Sequence, residues 1–400
     1  PTDPDPCRAR RRAAEPLVPF PRTSIVNERW IADRMQRIDA SGIRKAFELA
    51  RTMKDPINLS IGMPNFDVDD AIKDAACEAI RSGMNQYSVT QGLPILRETI
   101  QAAVTDQYGH ADREVLVTSG TAGALMLALC AVVNPGDQVI VFDPYFVMYN
   151  HQVALAGGET VLIDTYPDFR IDAGKVAEAI TPRTKAVIVN SPNNPSGVVA
   201  SAEELQALAT LCKERGVLLI SDEVYKAFCF EQDFRSPAEW NEDVLVVDGY
   251  SKAYGMTGWR LGFAHGPSRL IQEMIKLQQF TFVCAPTPLQ AGVAGVLAGE
   301  GVDLTGPVEA YRRKRDMVVD ALDGYYELAR PNGAFYAFPK APARWDSASE
   351  FVAEAIKREL VIIPGNVFSR RDTHFRISYA VSDDVLRRGL DVLRDLAKPA

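Results

Sequence analysis

The sequence predicts an α/β fold, in which a large domain carries a mostly parallel seven-stranded sheet between helices and a smaller domain is α+β. From about residue 114 to residue 265, apolar strand-like runs alternate with helical patterns. This alternation is typical of βαβ units, whose helices cover both faces of a sheet. Beyond residue 301 the pattern changes, and a chain of 400 residues is long enough for two domains.

The helix before one of these strands illustrates the local signals. Ser201 and Glu204 have the spacing of a capping box, and Gly216 ends the helix. Apolar residues between these two signals recur on one helical face, at positions 205, 208, 209 and 212. The seven predicted strands are 115–118, 138–142, 160–163, 185–190, 217–221, 244–248 and 261–264.

The C-terminal part of the chain alternates helices with short strands, as an α+β domain does. We therefore expect an N-terminal arm and segment at 1–62 that packs with the small domain, a large ligand-binding domain at 63–300 and the small domain at 301–400. The predicted helices after residue 301 are 308–322, 349–360 and 383–396, and the predicted strands lie near 335–338, 361–363 and 375–380.

The overall charge limits the classes of partner. A net charge of -8 argues against nucleic acid or an anionic membrane, because both require a concentrated positive surface. The basic run Cys7–Arg12 is an exception that we expect to be a solvated tail. The longest uncharged apolar run, 122–133, is too short to cross a bilayer.

The six cysteines are scattered without a Cys-x-x-Cys pair. This spacing favours reduced, buried thiols in a cytoplasmic protein over a disulfide framework or a zinc site, so no metal is expected.

Two loops that follow predicted strands carry candidate binding groups. Ligands of open α/β sheets bind beyond the carboxyl ends of the strands. In the loop 118–124, small residues that include Gly120, Thr121 and Ala122 allow backbone N–H groups to bind a phosphate, although such a turn is also common without a ligand. In the loop 191–197, the amide of Asn194 can donate to a phenolic oxygen, or the loop is only a proline-restricted turn.

Three ionisable residues follow other strands of the same sheet. Asp222 ends a buried strand and needs a cationic partner there, for which a protonated pyridine nitrogen qualifies, with Tyr225 nearby. Taken alone, Asp222 is more simply explained as a cap or as a partner of Lys226. Lys252 and Arg260 follow the strand 244–248 and, taken alone, are a solvated lysine and a structural arginine.

The five features together indicate more than each does separately. A phosphate loop, an amide facing a phenol, a carboxylate facing a pyridinium, an amine that traps an aldehyde and a guanidinium facing a phosphate form the set that pyridoxal 5'-phosphate requires. Their shared sheet edge predicts a site for this cofactor.

The chain resembles the class I/II aminotransferases among the fold-type I pyridoxal-phosphate enzymes. The resemblance extends from Leu59-Ser60-Ile61-Gly62-Met63-Pro64 to Phe375-Arg376-Ile377-Ser378, and its most specific part is the run 251–262 with Ser251, Lys252 and Arg260. It implies a Schiff base on Lys252, pairing of Asp222 with the pyridine nitrogen and contacts of Tyr225 and Asn194 with the phenolic oxygen. It also implies that Tyr145 stacks on the ring and that the phosphate is bound by Gly120, Thr121, Ala122, Ser251 and Arg260.

The resemblance further implies a substrate site and a homodimer. Arg376, with Gly62 and Asn194 nearby, would bind the α-carboxylate of the substrate, and the fork of an arginine suits a carboxylate. Tyr87 would reach the phosphate of the neighbouring subunit. The alternative for Arg376 is a surface strand arginine. The alternative for Tyr87, which is the weaker candidate on its own, is a rim residue.

Two positions depart from the pattern of this family. Many relatives have a hydroxyl residue three positions before the lysine, where this chain has Gly249. Some aspartate-specific relatives have a lysine in the phosphate loop, where this chain has Ala122. The resemblance alone therefore does not imply specificity for aspartate.

The expected activity is a ping-pong transamination between an L-amino acid and a 2-oxo acid, with Lys252 as general base and Asp222 keeping the ring nitrogen protonated. A lyase on the same scaffold remains an alternative. A ligand-sensing regulator is a remote one, since the segment before Asn58 is short for a DNA-binding unit, and an inert scaffold conflicts with the polar set. Aromatic residues that could line a substrate pocket are Phe20, Phe66, Tyr87, Tyr254 and Tyr336.

Overall fold

The computed structural model describes residues 30–39, 42–299 and 301–398. The basic run Cys7–Arg12, Phe20 and most of the expected N-terminal arm therefore lie outside the described residues.

Helices and strands follow one another along the described residues. The helices are α1 (Gly42–Ala50), α2 (Asp70–Arg81), α3 (Pro94–Tyr108), α4 (Gly120–Val132), α5 (Met148–Leu155), α6 (Ala173–Ala179), α7 (Ala202–Arg215), α8 (Tyr250–Ala253), α9 (Ser268–Thr281), α10 (Thr287–Leu297), α11 (Thr305–Leu322), α12 (Ala348–Lys357) and α13 (Asp383–Ala397). The strands are β1 (Ile57–Asn58), β2 (Glu114–Thr118), β3 (Gln138–Asp143), β4 (Glu159–Asp164), β5 (Thr184–Asn190), β6 (Leu218–Asp222), β7 (Leu245–Gly249), β8 (Gly262–Gly266), β9 (Tyr336–Ala337), β10 (Leu360–Val361), β11 (Ile363–Pro364) and β12 (Phe375–Ser378).

The large sheet has the order β2-β8-β7-β6-β5-β3-β4, and β8 alone is antiparallel to its neighbours. The predicted mostly parallel seven-stranded sheet is thus confirmed, with each predicted strand within two residues of its observed bounds. Because β5 and β6 are parallel, with Asn190 opposite Asp222, both strands deliver a polar residue to the same carboxyl edge.

Helices cover both faces of this sheet, as the alternation of side chains along the strands requires. Ile188 of β5 packs in a core with residues of α4 and α9. Its neighbours Val187 and Val189 pack in a second core with residues of α7. A strand that is apolar at consecutive positions is therefore buried on both faces, and its polar residues are confined to its end.

The C-terminal part has two small sheets, and here two predictions of element bounds are wrong. The helix predicted to reach residue 360 ends at Lys357, because Glu359 has a φ of 60° and Leu360 pairs with Ile57 of β1. The strand predicted near 361–363 is divided between β10, which pairs with β1, and β11, which pairs with β12. The boundaries proposed at residues 62 and 300 stay a prediction.

The cysteines are less uniformly buried than expected. Cys77 and Cys130 are exposed on α2 and α4, so the prediction of buried thiols is wrong for these two, whereas Cys212 is buried against the sheet. Both exposed thiols lie on helix faces directed away from the described core. Within the described ranges, every helix is too short or too polar to span a bilayer.

The capping box at the start of α7 is present, since Glu204 N donates to Ser201 Oγ at 3.3 Å and Ser201 N donates to Glu204 Oε2 at 2.6 Å. We expect Ser201→Ala to lower the free energy of unfolding by about 1 kcal/mol, because a helix N-terminal donor loses its acceptor. Chemical denaturation would measure it. Ser201→Thr keeps the hydroxyl and serves as the control, and equal stability of wild type and Ser201→Ala would contradict the prediction.

Candidate active site

A cleft of about 760 Å³ lies at the carboxyl edge of the large sheet. Most of the residues predicted for the site line it, although they come from segments far apart in the chain. They are Gly62, Thr121, Ala122, Asn194, Asp222, Tyr225, Ser251, Lys252, Arg260 and Arg376.

Lys252 lies on the short helix α8, directly after β7. Its Nζ donates a hydrogen bond of 2.6 Å to the carbonyl oxygen of Gly62. The pKa of Lys252 is lowered to about 8, chiefly by burial and in addition by the nearby Arg376 and Arg260, while Asp222 opposes these effects. An amine with this pKa is partly neutral near pH 8, and only a neutral amine acts as a nucleophile or a base.

Asp222 is buried at the end of β6. Its carboxylate accepts from the hydroxyl of Tyr149 at 2.7 Å and from the backbone N–H of Val224 at 3.3 Å. Among the described residues no cation lies within 4 Å of it, and Lys226 pairs with Asp248 at 2.6 Å instead. Burial raises the pKa of Asp222 to about 6 against these two hydrogen bonds. The buried carboxylate is therefore available to a cationic ligand.

The amide of Asn194 lies between the large sheet and the C-terminal part. Its backbone N–H donates to Asn190 Oδ1 at 2.9 Å, and its Nδ2 donates to the hydroxyl of Tyr225 at 3.3 Å. The hydroxyls of Tyr225 and Tyr336 are 2.9 Å apart. Burial raises the pKa of Tyr225 well above its ordinary value, so this phenol stays protonated and can donate to an oxygen in the cleft.

Arg376, in the middle of β12, is only 1% exposed, which contradicts the alternative of a surface strand arginine. Its Nη1 donates to Asn194 Oδ1 at 3.0 Å and its Nη2 donates to Ser60 O at 2.7 Å. Its guanidinium lies 4.6 Å from the ring centre of Tyr336 and 4.5 Å from that of Phe368. Its Nε has no partner among the described groups, so the fork retains donor capacity.

The start of α4 packs against glycines of β7 and β8. Gly120 has a φ of 68°, and a Cβ on it would collide with the guanidinium of Arg260. A Cβ on Gly262 would lie 2.9 Å from both Gly120 C and Thr121 N, and one on Gly249 would lie 2.9 Å from Gly262 Cα. The absence of a hydroxyl side chain at Gly249 therefore has a packing reason.

Three predicted residues are absent from the cleft lining: Gly120, which packs against the guanidinium of Arg260, and the tyrosines Tyr145 and Tyr87. Tyr145 lines a separate cavity, whereas the next residue, Phe146, lines the cleft. The ring contact implied for Tyr145 is therefore not supported by its position. Tyr87 lies outside the cleft lining and is 81% exposed.

Sequence reasoning missed Phe146 and Tyr149, although both belong to an aromatic run directly after β3. Of the aromatic residues suggested for the pocket, Tyr336 lines the cleft, whereas Phe66 and Tyr254 pack against hydrophobic cores.

Known proteins are similar to this chain in sequence and in fold over most of their length. The family described as aminotransferase class I and II matches residues 54–393. The chain belongs to the class I and II aminotransferases. A putative aminotransferase of Bacillus subtilis is 37% identical, over 90% of this chain and 96% of its own. The aspartate/prephenate aminotransferase of Thermus thermophilus is also 37% identical, over 87% of this chain and 92% of its own.

The solved structure of the aspartate aminotransferase from Thermus thermophilus with maleate superposes with a TM-score of 0.86, at 34% identity, over 92% of this chain and 99% of the other. The names of these similar proteins favour amino-group transfer over the lyase and regulator alternatives. This protein is thus an aminotransferase whose cleft combines a lysine, a buried carboxylate and a buried guanidinium.

The raised pKa of Asp222 predicts a cost in stability. The folded cofactor-free protein holds this proton up to about pH 6, whereas the unfolded chain releases it near 3.8, so stability falls as the pH rises between these values. We expect Asp222→Asn, which does not titrate, to be the more stable variant by a margin that grows by about 1 to 2 kcal/mol from pH 5 to pH 8.

Denaturation of the two cofactor-free proteins at both pH values measures this margin. Asp74→Asn, at an exposed carboxylate on α2, is the matched control. A margin that stays constant with pH, or that shrinks as the pH rises, would show that Asp222 is not destabilised by burial.

Proposed function

We propose that this aminotransferase binds pyridoxal 5'-phosphate in the cleft and exchanges amino groups between an L-amino acid and a 2-oxo acid by a ping-pong mechanism. The main support for the proposal is that three groups lie in one cleft. They are Lys252, whose pKa is lowered, Asp222, which has no cationic partner among the described residues, and the buried Arg376. When bound, the cofactor supplies an electron sink for the bond broken at the substrate's α-carbon.

The donors and acceptors of the cleft fit this cofactor. The carboxylate of Asp222 suits a protonated ring nitrogen, and above about pH 6 it is ionised and stabilises that charge. The amide of Asn194 and the hydroxyl of Tyr225 suit the phenolic oxygen. The first turn of α4, with Gly120, Thr121 and Ala122, would bind the phosphate together with Ser251 and Arg260. We assign the ring contact to Phe146, since it lines the cleft.

Lys252 is proposed as the group that moves the substrate's proton. Near pH 8 a large part of its amine is neutral and can accept a proton at the α-carbon. The carbonyl of Gly62 accepts from Lys252 Nζ, and the carbonyl of Ser60, two residues earlier, accepts from Arg376. The same backbone segment therefore holds both groups on one side of the cleft. Proton acceptance and substrate orientation would thus depend on the same stretch of backbone.

Arg376 is proposed to bind the α-carboxylate. Its two Nη groups contact neutral oxygens of Asn194 and Ser60, and its Nε is unpartnered. A carboxylate forms stronger, charge-assisted and bidentate hydrogen bonds with such a fork. Binding there places the α-carbon between Arg376 and Lys252.

A second copy of the chain is proposed to complete the phosphate site with Tyr87. Large apolar side chains are exposed around it, at Val89 and at Phe280 and Phe282 near the end of α9. The loop of Tyr87 is joined to α9, because Gln278 Nε2 donates to Thr90 O at 2.6 Å. Exposed apolar groups of this size are typical of a protein interface, and Phe282 lies next to Gly123 of α4.

We expect Lys252→Ala to slow conversion of the bound cofactor by an amino acid at least about 100-fold, the usual contribution of a positioned general base. Stopped-flow absorbance of the yellow form measures this half-reaction. Lys357→Ala, at an exposed lysine at the end of α12, is the control. A rate within a few fold of wild type would remove Lys252 from the proposed role.

We expect Tyr87→Phe to weaken cofactor binding about tenfold, because a hydrogen bond to a charged group is lost. If Tyr87 acts across the interface, mixing Tyr87→Phe with inactive Lys252→Ala produces hybrid dimers that have one intact site. At limiting cofactor, activity then rises above that of Tyr87→Phe alone. Tyr325→Phe, at another exposed tyrosine, is the control, and activity that does not rise on mixing would argue against a shared site.

A further inference from the structure

The backbone segment Ser60–Met63 runs between the two groups that would hold a substrate. Ser60 O accepts from Arg376 Nη2 at 2.7 Å, and Gly62 O accepts from Lys252 Nζ at 2.6 Å. A substrate with its carboxylate on Arg376 and its α-carbon facing Lys252 therefore lies along this segment. Its side chain leaves the α-carbon beside Ile61 and Met63, which both line the cleft.

These neighbours offer apolar surface and no charge. Gly62 is tightly packed against Tyr336, because a Cβ on it would collide with the hydroxyl of that tyrosine. Ile43 of α1 adds a further apolar side chain to the lining. Phe146, on the ring side, has no hydrogen-bond donor in its side chain.

The cations of the cleft are already engaged. Within the described part of the chain, the lysine and arginine side chains that line the cleft are Lys252, Arg260 and Arg376. Lys252 is required at the α-carbon, Arg260 lies against Gly120 at the phosphate end, and Arg376 would hold the α-carboxylate. Among the described residues of one chain, a second carboxylate on the substrate would have no further lysine or arginine in the lining to pair with. Its loss of water would then be strongly unfavourable.

We infer that the amino donor has an uncharged, apolar side chain, aliphatic or aromatic, and that Ile61 and Met63 contact it. This inference rests on the proposed function and specifies its substrate class. It sets this chain apart from the relatives named for aspartate. The lining also includes the imidazole of His151, but that residue belongs to α5, whose Tyr149 contacts Asp222 at the ring end of the cleft.

The first test compares amino donors in the half-reaction of the cofactor-loaded dimer. Leucine, methionine and phenylalanine are set against aspartate and glutamate, with absorbance recording the conversion of the cofactor. We expect kcat/KM for the best apolar donor to exceed that for aspartate by about 100-fold, the discrimination that one uncompensated buried charge produces. A preference for aspartate or glutamate would overturn the inference and leave the proposed function in place.

The second test adds a charge beside the expected side chain. Met63 is 45% exposed, so Met63→Lys can keep its amine in contact with water and should fold. It is expected to lower the preference for leucine over aspartate about fivefold, as a partly exposed ion pair does. Ile95→Lys introduces the same charge at a residue that is 53% exposed and outside the cleft lining. Equal effects of the two variants would show that Met63 does not contact the side chain.

Binding without turnover separates recognition of the side chain from conversion of the cofactor. Isothermal titration of the cofactor-loaded protein compares 4-methylpentanoate, an apolar monocarboxylate, with succinate. Tighter binding of 4-methylpentanoate supports the inference, and tighter binding of succinate overturns it. If neither class of amino acid converts the cofactor, the proposed function fails, while the binding comparison still decides the class of side chain.

Discussion

The buried guanidinium of Arg376 is the interaction on which the geometry of the cleft depends. It joins three parts of the molecule, because it lies on β12 of the C-terminal part, donates to Ser60 of the segment Ser60–Met63 and donates to Asn194 in the loop after β5. The aromatic rings of Tyr336 and Phe368 pack against its plane. A lysine could not reproduce this contact set, since only the planar fork donates in two directions and packs on two rings.

The same guanidinium contributes to the electrostatics of the site. Burial lowers the pKa of Lys252 and raises that of Asp222, so both shifts favour the neutral form of each group. Arg376 and Arg260 add to the shift of the lysine by like-charge repulsion. Burial of these groups costs stability, which the rest of the fold must supply. The shifted pKa values that burial produces make chemical function at neutral pH possible.

At the end of the cleft near Arg260, backbone segments pack directly against one another. Gly249, Gly262 and Gly120 lie against one another, so that β7, β8 and the start of α4 approach without side chains between them. This packing accounts for Gly249 at a position where many relatives have a hydroxyl residue. The end of the cleft proposed for the phosphate therefore offers backbone N–H groups and Arg260, and the end proposed for the substrate offers Arg376 and the apolar segment before α2.

The sequence by itself determined the elements of the large sheet, the order of the polar residues at the carboxyl edge of that sheet, and the capping box of α7. Those features depend on local periodicity, on caps and on the parallel direction of β3, β5 and β6, which a linear pattern records. Only the tertiary structure decided that Phe146 and not Tyr145 faces the cleft, because two adjacent residues of a loop differ only in the packing they meet. It also decided that Leu360 pairs with Ile57 and that Arg376 is buried, since these are contacts between segments some three hundred residues apart.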